Sequence, residues 1–217
     1  MPPIQQFLDP DRQETRGKYV SNSPILPKTR RFGLYPNIDE WLPGDLLLVS
    51  QVQRGWTHRL IYEGQIAGGY ASEDARWGHA AIYLGDGEIC EAMPAGIQHR
   101  SVEHYVDGQW LIRVRRDQTL TMDQRWRIAV RGLTKLRTAY GFGSLLRLAP
   151  ALMNSFNTVS YALRPRQTAF ICSELYANAY SPITGKVLQN RRSGEITPAF
   201  LSSTPLLEDV ELYWLKI

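Results

Sequence analysis

Hydrophobic and polar positions alternate most clearly between Trp77 and Ala92, in the stretch WGHAAIYLGDGEICEA. HAAIYL and EICEA have the composition of strands, and Gly85-Asp86-Gly87 between them is a hairpin signal. With a three-residue loop and Gly87 left-handed in a bulge, residues whose numbers sum to 172 face one another. That register puts His79 opposite Met93 with Glu91 on the diagonal. His79, Ala81, Tyr83, Ile89 and Glu91 then share one face, and Ala80, Ile82, Leu84, Cys90 and Ala92 the other. A two-residue turn would shift the register and separate His79 from Glu91. Taken alone, the hairpin favours the plainer reading, in which a histidine merely begins a strand and an acid merely ends one.

The remaining pattern divides at Asn37. Before it, Pro2, Pro3, Pro10, Pro24, Pro27 and Pro36 interrupt any periodicity, and residues 1–36 read as an extended arm, either lying on the domain or mobile. Residues 37–217 form the domain. NIDEW makes one helical turn, Asp45 to Val52 a buried strand, and Thr57 to Ile66 a short helix stopped by Gly68-Gly69. Gly96 to Ser101 and Gln109 to Arg116 are further strands, so the sheet is expected to be antiparallel. Met122 to Tyr140 changes to a helical period, with Trp126, Val130, Leu133 and Tyr140 near one stripe. SLLRLAPALM, within Ser144 to Ala162, is too short and too interrupted by Pro150 to span a membrane. SELYANAY is helical and closed by Ser181-Pro182, which places Cys172 at or just before a helix N-terminus. Thr197 caps a helix whose first residue is Pro198, and VELYWLKI is a final strand.

Composition changes this picture little. A chain of 217 residues, 43% hydrophobic and 21% charged, is ordinary for one globular domain with its own core. The net charge of +4 comes from dispersed arginine pairs such as Arg30-Arg31, Arg115-Arg116 and Arg191-Arg192. Their spread fits a solvated surface or an anionic partner surface better than a nucleic-acid stripe, and no nucleic-acid partner is expected. There is no transmembrane segment and no signal-peptide pattern, so the expected location is the cytoplasm, or outside it by a signal-independent route. Two distant cysteines suggest free thiols.

The chemistry rests on Cys172. A thiolate is the reactive form of cysteine; a histidine in reach takes its proton, and a third polar group orients the imidazole. Cys172, His79 and Glu91 supply those three parts, with the Cys172 amide as the expected oxyanion donor. The competing reading makes Cys172 a small apolar residue under a helix. Cys90 faces Ile82 and is expected to be buried and inert. His58, His99 and His104 lack metal-ligand spacing, so neither metal nor cofactor is expected.

GDLLLVS, WGHAAIYLGDGEICEA, FICSELYANAY and ITPAFL, in that order, resemble the permuted papain-like thiol hydrolases of the NlpC superfamily, in the YiiX/YebB-like branch. The resemblance covers about residues 43–201. It implies an α+β fold, circularly permuted and papain-like, with an antiparallel sheet or half-barrel packed against helices. Cys172 would be the nucleophile, His79 the general base and Glu91 the orienting residue, with Asp45 structural. The arm before Asn37 and the segment 143–167 depart from the family pattern. The resemblance implies a cysteine hydrolase that cleaves an amide through an acyl-enzyme, with a peptidoglycan-type peptide or small amide as substrate. An exported antibacterial effector, accompanied by an immunity or carrier protein, is one setting for it. Two alternatives stay open: a lipid esterase or acyltransferase of the lecithin-retinol acyltransferase-like type acting on phospholipids, and a non-catalytic binding module.

Overall fold

The computed structural model describes residues 5–20, 24–93, 96–135, 166–188 and 196–217, the side chains of 166–171 excepted. LLLV is apolar at every position, as a strand covered on both faces must be. β3 (Leu46–Gln51) forms from it at the centre of the main sheet, with Leu46, Leu47 and Leu48 fully buried. Around it lie β4 (His79–Gly85), β5 (Glu88–Met93), β6 (Gly96–Ser101), β7 (Trp110–Arg116) and β8 (Glu208–Asp209). The sheet is antiparallel throughout, in the order β6-β5-β4-β3-β7-β8. A smaller sheet joins β1 (Thr15–Lys18), β9 (Trp214–Lys216) and β2 (Leu34–Pro36), with β1 and β9 parallel.

Alternation along β4 and β5 divides the interior into two cores. Ala80, Ile82, Leu84, Cys90 and Ala92 face α4 (Met122–Leu133), α5 (Arg166–Thr184) and α6 (Pro198–Ser203). Ala81, Tyr83 and Ile89 face a layer built from Leu8, Tyr35, Trp41, Val102, Leu212 and Trp214. The mixed α+β class is therefore observed: among the described residues a six-stranded antiparallel sheet and a small sheet are packed with six helices, the others being α1 (Pro27–Phe32), α2 (Trp56–Ala67) and α3 (Ser72–Ala75).

The segment before Asn37 is less extended than its prolines imply. Pro27 occupies the start of α1, where its missing N–H costs nothing, and Gly33 ends that helix at φ +79°. Leu8 exchanges backbone hydrogen bonds with Ile112 at the edge of β7, so the arm lies on the domain. Thr197 caps α6 by accepting from the Phe200 amide, as expected.

The expected helix from Met122 to Tyr140 is described as far as Leu133; Tyr140 and SLLRLAPALM lie outside the described residues. Its inward face is a correction. Arg125, Ile128, Ala129 and Gly132 point to the core, while Trp126 and Val130 are about half exposed. The reason is electrostatic. Asp45, fully buried at the head of β3, accepts from Arg116 at 2.6 Å and Arg125 at 3.3 Å, and the Arg125 guanidinium also donates to the Asp117 carbonyl at 2.6 Å. Seating Arg125 turns the neighbouring Trp126 outward.

Removing one partner of a buried ion pair strands the other charge, at about 3–5 kcal/mol. Asp45→Asn is accordingly expected to lower unfolding free energy by about that amount, measured as a lower urea midpoint at unchanged slope.

Candidate active site

β4 and β5 pair with Ala81 opposite Glu91, Ile82 opposite Cys90 and Tyr83 opposite Ile89, the register whose numbers sum to 172. The route to it differs from the expected one. The turn holds only Asp86 and Gly87, both at positive φ (+49° and +75°), which is the signature of a tight primed hairpin. Such a turn alone would displace the pairing by one residue. A bulge compensates: Leu84 and Gly85 stand against Glu88 alone, with Gly85 at φ +105°, a conformation that disfavours any side chain. The bulged residue is thus Gly85 rather than Gly87, and it returns Glu91 to the His79 face.

On that face the carboxylate of Glu91, with no exposed surface, lies 2.7 Å from His79 Nε2. The same carboxylate oxygen accepts from the Tyr105 hydroxyl at 2.5 Å, and the other faces Arg100 Nε at 3.5 Å. Burial alone would push the Glu91 carboxyl up; the bonds from His79 and Tyr105 and the Arg100 charge outweigh it and hold it below its ordinary value. Burial likewise opposes a charged His79, but the Cys172 thiolate and the Glu91 carboxylate together push it up to about 10. His79 and Cys172 are hydrogen-bonded side chain to side chain. With Nε2 given to Glu91, Nδ1 is the ring atom left for the thiol. The structure therefore brings together all three expected site residues, through one imidazole.

The meeting occurs at the beginning of β4. Cys172 belongs to the helix-side core, whereas His79 belongs to the opposite face, and only a residue at the strand's first position can serve both. α5 holds its thiol there through Tyr180, which donates to Asp117 at 2.5 Å, and through Ser173, which donates to the Ile196 carbonyl at 2.5 Å. Asp117 also accepts from Lys186 at 2.6 Å, and these bonds hold it down to about 2 against the cost of burial. Gln65, buried on α2, donates to the Ala75 and Trp77 carbonyls and accepts from the Ala199 amide, which pins the loop into His79 against α6.

The expected place of Cys172 at a helix N-terminus is corrected. α5 starts at Arg166, so Cys172 is its seventh residue. An amide that deep in a helix is directed at the carbonyl four residues back, and the dipole acts mainly in the first turn. The Cys172 amide is therefore not the oxyanion donor. The expected end at Ser181-Pro182 also moves, since Pro182 lies inside the last turn. RQTAFI contains no strong helix stop, and the apolar lead-in Phe170-Ile171 imitates a strand.

Cys90 is buried opposite Ile82, and burial together with the Glu91 charge pushes its thiol up to about 12. His99 pairs with Glu88 at 2.9 Å, and among the described residues no group of three or more His, Cys, Asp and Glu could hold a metal ion. Tyr105 and Arg100 were not anticipated. Glu91 pairs with Gln98 across β6, so the alternation of that strand puts Arg100 on the Glu91 face; extending the hairpin by one strand would have found it.

No family model matches the chain, and no curated protein matches it.

The two shifts make stability depend on pH with a definite sign. His79, raised from 6.5, contributes fully below about pH 6.5 and loses its contribution as pH climbs toward its folded value. Glu91, lowered from 4.5, contributes above about pH 4.5 and loses its contribution below. The stability difference between wild type and Glu91→Gln is expected to peak between these values and shrink on both sides, as measured by denaturant unfolding at a series of pH values.

Proposed function

We propose that the protein is a cysteine hydrolase that cleaves an amide bond through an acyl-enzyme, built on a circularly permuted papain-like fold. One observation carries the reading: a single imidazole, that of His79, is hydrogen-bonded both to the thiol of Cys172 and to the buried carboxylate of Glu91. A structural cysteine needs no such partner, and a structural ion pair needs no thiol. The order of the parts supports the permuted form, since the histidine strand precedes the cysteine helix.

His79 takes the proton of Cys172, and the thiolate attacks the substrate carbonyl. The imidazolium then protonates the leaving amine, and with the site discharged it activates the water that frees the acyl group. Glu91 holds the ring in the tautomer with Nδ1 toward sulfur and stabilises its charge, and Tyr105 and Arg100 hold Glu91. The substrate class we assign is a peptidoglycan-type peptide or small amide. A phospholipid ester is the second reading. Met122, Trp126 and Val130 are each about half exposed on α4 and recur every fourth residue, beside Arg127 and Arg131, as on a surface that meets anionic lipid.

Wild-type protein incubated with peptidoglycan fragments and with phospholipid vesicles, with products identified by mass spectrometry, separates the two. Cys172→Ala is expected to abolish whichever cleavage occurs, and Glu91→Gln to lower kcat/KM by about a hundredfold or more. Full activity in Cys172→Ala would sink the mechanism.

A further inference from the structure

His58, the third residue of α2, has no part in the chemistry above and yet lies against it. A Cβ built on Gly78, the residue directly before His79, would lie 2.7 Å from His58 Nδ1, 3.0 Å from Cε1 and 3.5 Å from Cγ. One edge of the ring is thus pressed on the backbone that delivers the catalytic base, and only glycine at position 78 leaves room for it. The ring also meets Trp110 edge-on at 5.8 Å, and Trp110 meets Tyr105 at 5.0 Å, so His58 belongs to the same aromatic wall as the tyrosine that holds Glu91.

His58 Nδ1 is buried without a hydrogen-bond partner among the described residues. An N–H sealed in that position would be an orphaned donor, rarer in proteins than an unused lone pair, and an imidazolium would add an unpaired charge. The ring is therefore neutral with its proton on Nε2. Burial and the nearby charges of His79 and Arg54 act in the same direction. The ring is only half-buried, and the edge away from Gly78 carries Nε2, which leaves an N–H donor on a ring that abuts the backbone directly before His79. The site needs such a donor, because the Cys172 amide is committed within α5.

We propose that His58 is the oxyanion donor: its Nε2–H hydrogen-bonds the carbonyl oxygen of the substrate as Cys172 attacks. The bond from sulfur to carbon forms while the carbonyl π pair moves onto oxygen. His58 stabilises that negative charge without surrendering its proton, and the leaving group departs with the proton that His79 took from the thiol. A neutral imidazole suits this role because its N–H is available without a charge to desolvate.

The proposal rests on Cys172 being the nucleophile, and the test separates the two. p-Nitrophenyl acetate acylates a thiol through an oxyanion, whereas iodoacetamide alkylates it by displacing iodide from a saturated carbon, with no oxyanion. In His58→Phe, which keeps a flat ring against Gly78 and Trp110, the nitrophenolate burst is expected to slow by about a hundredfold. Alkylation of Cys172 and the thermal midpoint should stay at wild-type values. His58→Gln, which keeps an N–H on a side chain of similar reach, should recover part of the acylation rate. A wild-type acylation rate in His58→Phe overturns the proposal, and so does an equal loss in both reactions, which would place His58 behind the thiolate. Absence of both reactions at Cys172 in the wild type removes the nucleophile and this proposal with it.

Discussion

A carboxylate with no access to water dominates the architecture of this protein. Glu91 can remain charged only because an imidazole, a phenol and a guanidinium converge on it, and each comes from a different element: β4, the turn after β6 and β6 itself. Stranding any of those charges would cost several kcal/mol, on the order of 3–5 for a broken buried pair. The strands of the hairpin, the following strand and the turn at Tyr105 must therefore assemble together. In doing so they hold the His79 ring in one orientation, which is what a general base requires and what a free histidine on a strand end would lack.

The thiol reaches this assembly from the other side of the sheet. α5 packs on the face that carries Ala80, Ile82 and Cys90, and Cys172 lies among those side chains. Two layers that share no core are linked at the first residue of β4, where the strand has not yet separated them. Cys172 and His79 thus belong to different packing units, and their alignment depends on how those units dock. Asp117, joined to both Tyr180 and Lys186, and Gln65, which ties α2 to the loop before His79 and to α6, keep that docking in place.

Much of this was legible in the amino-acid order. LLLV announced a strand buried on both faces, the alternation from His79 to Ala92 announced a hairpin, and Thr197-Pro198 announced a helix start. Each signal is local, so each survived folding. Readings that failed depended on partners far along the chain. Trp126 and Val130 look like the core face of their helix until Arg125 is required by Asp45, eighty residues earlier. The start of α5 was obscured because Phe170-Ile171 satisfies strand and helix patterns alike. Tyr105, Arg100 and His58 carry no motif; their importance comes from the shape of a carboxylate pocket and from the absence of a side chain at Gly78, neither of which has a one-dimensional signature.

The bulge at Gly85 has a consequence for how this chain can change over time. Glu91 and Cys90 are neighbours whose side chains point to opposite cores, so the extra residue in β4 selects which of the two stands beside His79. Were the bulge to relax into regular pairing around the same two-residue turn, with no residue lost, Ile82 would stand opposite Glu91 and Tyr83 opposite Cys90. A thiol would then face the histidine, and a bare carboxylate would be driven into the oil beneath α5. Backbone conformation at Gly85 is thus under tighter constraint than the length of the loop: removing the bulged residue outright keeps Ala81 opposite Glu91, whereas a side chain at Gly85 that flattens the bulge exchanges the places of an acid and a cysteine.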